Sequence, residues 1–135
     1  MGTLRGALTL SSTDVLSIPV NLSVNVAFIA DAGYIMRAKV AHTGGAGSAA
    51  LVVHKANDKL ESSYLYVKNL QTEKEQYVYL YQDTDNDDVF AKLAGGEFCF
   101  MPVAVNKTVK AYATKVDSMI EFAVFGLDSS ATTLA

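Results

Sequence analysis

The chain is predicted to fold as an all-β protein, an antiparallel β-sandwich of jelly-roll type with about nine strands and an extended N-terminal arm. Three observations predict it. Apolar residues recur at every second position in segment after segment. Turn residues separate those segments at intervals of about 8 to 12, which favours a sandwich or barrel over a βαβ sheet. No segment carries a helical period over about ten residues or more.

Residues 1–12 read as an extended arm or a first strand, with Leu4, Leu8 and Leu10 as its large apolar side chains. From 18 to 28 the alternation is strict: Ile18, Val20, Leu22, Val24, Val26 and Phe28 are separated by Pro19, Asn21, Ser23, Asn25 and Ala27. A period of two gives that strand one apolar face, expected to lie on the core. Pro19 cannot donate to a ladder and belongs at a strand start or an edge. Asp31-Ala32-Gly33 ends the strand, and 34–41 is the next, with Arg37 and Lys39 outward and Met36, Ala38 and Val40 inward.

The glycine loop 42–48 leads to a strand over 49–55, and two more cover 63–69 and 76–82, joined by the polar links 56–61 and 71–75. The acidic turn 83–87 precedes a strand over 89–94. Gly95-Gly96 then supplies the positive φ of a two-residue hairpin turn, so 97–103 is expected to return antiparallel. Turns at Asn106-Lys107 and 116–118 introduce strands over 108–114 and 119–126. Residues 13–127 form a single sandwich domain, and 128–135, small and polar, a flexible tail. An immunoglobulin-like sandwich is the second topology, weakened because the chain has no Trp and no cysteine pair.

At 135 residues the chain suits one domain that removes roughly two-thirds of its unfolded surface from water. Half its residues are hydrophobic and only 19% are charged, so apolar surface is left over and self-association is expected. Eleven Lys and Arg are scattered among fourteen Asp and Glu for a net charge of −3, which provides no basic stripe for nucleic acid. No stretch approaches the roughly 20 apolar residues of a membrane-spanning helix, and the first residues carry no continuous apolar signal segment. Synthesis in a reducing cytoplasm is expected, since Cys99 is alone and no intrachain disulfide can form. The Asn21-Leu22-Ser23 and Asn106-Lys107-Thr108 glycosylation patterns are then coincidental.

Candidate chemistry is sparse. Asp83, Asp85 and Asp87 alternate like calcium-loop ligands, yet Asp88 stands where an EF-hand needs Gly and Ala94 where it needs Glu; a solvated turn is the expectation, a weak cation site the alternative. His42 and His54 lack metal-ligand companions at a suitable spacing and read as structural. Cys99, between Phe98 and Phe100 in a strand, reads as a packed thiol. Gly44-Gly45-Ala46-Gly47 lacks the Lys-Ser or Lys-Thr of a phosphate loop and leads into a strand. No nucleophile elbow or zinc motif occurs, so no enzyme, catalytic residue, metal or cofactor is expected; a hydrolase with carboxylates assembled across strands is the remaining enzymatic alternative.

The tyrosines say more. Tyr64 and Tyr66 alternate with Leu65 and Val67, and Tyr77, Tyr79 and Tyr81 with Val78 and Leu80. If the two strands pair, all five share one face, a candidate interface alongside Leu4, Leu8 and Leu10 of the arm. The simpler alternative is that they cover a sheet.

Four stretches, Tyr64-Leu65-Tyr66-Val67-Lys68-Asn69, Val78-Tyr79-Leu80-Tyr81, Leu93-Ala94-Gly95-Gly96-Glu97-Phe98-Cys99-Phe100-Met101-Pro102 and Glu121-Phe122-Ala123-Val124-Phe125-Gly126, resemble small β-sandwich virion proteins of tailed bacteriophages. The resemblance covers residues 50–126 or so and is greatest to capsid decoration, or cement, proteins. It implies a jelly roll that forms a homotrimer, binds the major capsid protein on the outer surface of the head and stabilises the shell against internal DNA pressure. It implies no active site. A tail, neck or fibre module contacting a host receptor or glycan is the alternative that the same resemblance admits.

Overall fold

A computed structural model describes residues 2–40, 51–57, 60–82, 89–115 and 117–128. Ten strands run along them: β1 (Gly2–Ser12), β2 (Val20–Ala30), β3 (Ala32–Val40), β4 (Leu51–His54), β5 (Leu60–Asn69), β6 (Val78–Gln82), β7 (Val89–Leu93), β8 (Phe98–Pro102), β9 (Val109–Ala113) and β10 (Ser118–Asp128). The protein is all-β and antiparallel, with no helix among the described residues. One sheet has the order β3-β10-β5-β8, the second β4-β9-β6-β7, and β1 with β2 makes a separate two-stranded ribbon. The first twelve residues are thus a strand, paired with β2 along its whole length from Gly2↔Ala30 to Ser12↔Val20.

Alternation builds the core. On β5 the inward row is Ser63, Leu65, Val67 and Asn69, all buried; Ile120 and Phe122 of β10 lie in register with Asn69 and Val67. From the other sheet Val53, Val78, Leu80, Val109, Ala111 and Ala113 close the same cluster. Removing a Val, Leu, Ile or Phe side chain from water contributes roughly 1.5–3 kcal/mol, so the buried side chains of these kinds in the cluster supply the main drive for folding.

Two buried polar residues of β5 tie the sheets together. At one end the Ser63 hydroxyl donates to Nε2 of His54 on β4 (2.6 Å), whose Nδ1–H donates to the Lys107 carbonyl (2.8 Å). At the other end Asn69 Nδ2 donates to the carbonyls of Gln76 (2.6 Å) and Leu93 (3.0 Å), which flank β6 and close β7, while its Oδ1 accepts from the Gln71 N–H (3.0 Å). Backbone bonds between Asn69 and both Gly96 and Glu97 add the link to β8.

Two strand assignments need correction. Gly95-Gly96 was expected to close a hairpin, but β7 and β8 belong to different sheets. Glu97 N–H donates to the Ala94 carbonyl (2.9 Å) and only Gly96 of the pair has a positive φ, 85°, which makes a type II turn. Such a turn splays the strands it joins, and here it carries the chain from one sheet to the other. Gly95 is needed for a different reason: a Cβ there would run into the carbonyls of Glu73 and Gln71. The five tyrosines, expected on one face of paired strands, are divided as well, because β5 pairs with β10 and β8 while β6 pairs with β7 and β9. Alternation assigns side chains to faces but not strands to neighbours.

Asn69→Leu would keep the branched shape and leave two carbonyls and an N–H at or near the core without their partner, where each unsatisfied group costs about 1–3 kcal/mol. A urea denaturation curve should show a loss of about 3 kcal/mol or more. Unchanged stability would remove Asn69 from the role described.

Candidate interaction surface

The β1–β2 ribbon has one apolar and one mostly polar face. Register places Leu4, Gly6, Leu8 and Leu10 opposite Phe28, Val26, Val24 and Leu22 on one side, and Thr3, Arg5, Ala7, Thr9 and Ser11 opposite Ile29, Ala27, Asn25, Ser23 and Asn21 on the other. Only the root of the apolar face is covered. There the Phe28 ring lies 4.4 Å from Tyr64 and 5.6 Å from Phe100 between centroids, against the outer face of the first sheet. Further out, Leu8, Leu10, Leu22, Val24 and Val26 are 43–55% exposed.

The alternation over 18–28 was expected to face the core, and this is corrected. Its apolar row continues past the edge of the sandwich, where none of the described residues covers it. Beyond the ribbon, the Ser12 hydroxyl donates to Asp14 Oδ1 (3.0 Å) and accepts from the N–H groups of Asp14 and Val15, ordering a tip whose Val15, Leu16 and Ile18 are 58–73% exposed. Of the sequence candidates, Leu8 and Leu10 lie on the open part of this face and Leu4 at its half-buried root.

The outer face of the first sheet adjoins the root. Tyr64 and Tyr66 point outward here, beside Phe100 and Phe98 of β8; Tyr64 and Phe100 stack at 6.0 Å, and Tyr66 meets Phe98 at 6.5 Å. Glu121 joins Arg37 Nε (3.0 Å) and the Tyr66 hydroxyl (3.1 Å), and the Arg37 hydrogen bond holds its carboxyl below the usual range. Burial, reinforced by Glu121, pushes the Tyr66 hydroxyl up. With Arg37 largely exposed, the ion pair orients more than it stabilises.

On the opposite surface Tyr79 and Tyr81 meet Tyr112 of β9, and Tyr77 meets Tyr79. Ring centroids are 5.0 Å apart for Tyr79 and Tyr112, 5.7 Å for Tyr81 and Tyr112, and 6.4 Å for Tyr77 and Tyr79; the Lys92 ammonium stands 4.1 Å over Tyr77. Tyr81 is buried and the others half-buried, so this cluster mainly covers its own sheet.

The pair His54–Ser63 has the spacing of a base and a nucleophile, but both groups are buried and both imidazole nitrogens are engaged within the protein. Burial holds the His54 imidazolium form down, its pKa lying below the ordinary value. Cys99 faces the core in register with Val67, and burial pushes its thiol up, away from a reactive thiolate. An open cleft of about 570 Å³ beside β3 has Tyr34 and Lys55 as its titratable lining. Among the described residues no three His, Cys, Asp or Glu side chains gather as a metal site, and no helix is long and apolar enough to cross a membrane. His42, the glycine loop and Asp83 to Asp88 lie outside the described residues.

Because His54 binds a proton less readily folded than unfolded, its contribution to stability is complete above the unfolded pKa of about 6.5 and is lost as the pH falls below it toward the lower folded value. Denaturation midpoints should therefore fall from pH 7 to pH 5, and His54→Gln should flatten that part of the profile while lowering stability at pH 7. An unaltered slope in the variant would show that other groups set it.

Comparison with protein-family models and with curated proteins finds no match.

Proposed function

We propose that this chain is a structural virion protein, a capsid decoration or cement protein that binds the major capsid protein on the outside of a phage head and stabilises the shell by contact. The observation that carries the proposal is the ribbon: a continuous apolar face lies outside the core, on an arm, uncovered among the described residues beyond its root and so available for a contact with another protein. The polar groups best placed for chemistry, His54 and Ser63, are spent instead on holding the sheets together. The division into four and four strands, with β3 beside β10, supports the jelly-roll part of the proposal. The head as the place and a homotrimer as the form are proposed on the resemblance of residues 50–126 to decoration proteins.

The test is to add the purified chain to head shells that lack it. Saturable binding at a fixed copy number, with a higher temperature of shell disruption, is the expected result. Shells that bind none, or a chain found only in isolated tails, would overturn the head assignment and favour a tail, neck or fibre module.

A further inference from the structure

We propose that the outer half of the β1–β2 ribbon packs, apolar face inward, against the same ribbon of a second copy of this chain, so that the protein assembles arm to arm.

A two-stranded ribbon is at best marginal in water by itself and needs a layer against one face. From Gly6↔Val26 to Ser12↔Val20 it runs on for about 20 Å at the rise of an antiparallel strand. Over that length Leu8, Leu10, Leu22, Val24 and Val26 are open. They offer on the order of a few hundred Å² of continuous apolar surface, and the exposed Val15, Leu16 and Ile18 of the tip add apolar surface beside it, toward the roughly 800 Å² each partner gives to a standard interface.

The character of the face selects the occupant. Between residues 2 and 30 the only charged side chains are Arg5, on the opposite face, and Asp14, at the tip. A cover for the apolar face must therefore be flat, uncharged and apolar over a similar length. Another copy of the ribbon meets each condition, and it is present whenever the chain is present. Two or more such faces turned toward a symmetry axis, about 10 Å apart as stacked sheets are, bury one another as the inner faces of a sandwich do. The root shows that this face accepts such cover, because Phe28 already lies on Tyr64 and Phe100.

This inference goes beyond the proposed function and stands whether or not a phage head is the protein's destination, and the test contains no shells. Sedimentation of the full chain at about 10 μM should give the mass of two or more chains. Val24→Asp, which sets a charge in the apolar face, should weaken association by on the order of 100-fold or more; Ser23→Asp, on the polar face, should leave it unchanged. Should Val24→Asp fail to fold, a photo-reactive residue at position 10 decides: crosslinks to residues 4–26 of another copy support arm-to-arm packing. A monomeric chain, equal loss from both variants, or crosslinks to the sandwich of the second copy would overturn it.

Discussion

The inward row of β5 begins with Ser63 and ends with Asn69, and each forms hydrogen bonds into the opposite sheet, one through His54 and the other to carbonyls beside β6 and β7. Between them Leu65 and Val67 supply apolar burial, which is favourable but has no direction and would tolerate sliding of one sheet over the other. Hydrogen bonds in a medium of low dielectric do not tolerate it, because a displaced donor or acceptor there finds no water. The two ends of β5 thereby hold the sheets in one relative position. Asn69 also receives the turn at Gly96, so the crossing from β7 to β8 depends on the same residue.

With the sheets pinned, the sandwich is sealed around its own polar groups and has its remaining apolar capacity on the outside. That capacity is unevenly placed. The tyrosines of the second sheet lie against one another and against Tyr112, while the first sheet uses Tyr64 and Phe100 to seat the root of the ribbon. Beyond that root the ribbon has no second layer among the described residues. β2 leads into β3 through the single residue Asp31, whose N–H bonds to the Gly126 carbonyl, so the arm is fixed to the sandwich by one strand continuation and a patch of aromatic contact. An arm with an open apolar face suits a protein that works by joining others, and that is the physical basis of the proposed structural role.

Strand positions were largely legible in the sequence, since a period of two is a local property and the segments 63–69, 76–82, 89–94 and 119–126 all coincide with strands to within a few residues. Inward and outward rows were legible for the same reason: Leu65, Val67, Val78 and Leu80 are buried as their alternation requires. Partners were not. Tyr66 and Tyr79 look alike as sequence but lie on opposite surfaces, and Gly95-Gly96 looks like a hairpin turn whether or not the strands it joins pair. His54, assigned a structural role, is confined to the core by contacts with Ser63 and Lys107 that no spacing announces.

By itself the sequence determined that the chain is all-β, where its strands fall, which side chains share a face, and that it carries more apolar surface than one small core requires. These are consequences of local periodicity and composition. Only the tertiary structure decided which strands are neighbours, that the sheets are pinned through β5, and that the most regular apolar row in the chain, over 18–28, lies on an outlying arm. The reason is that alternation records which side chains share a face, whereas what buries that face depends on contacts between residues far apart in the chain, and for this row the described residues supply cover only at its root.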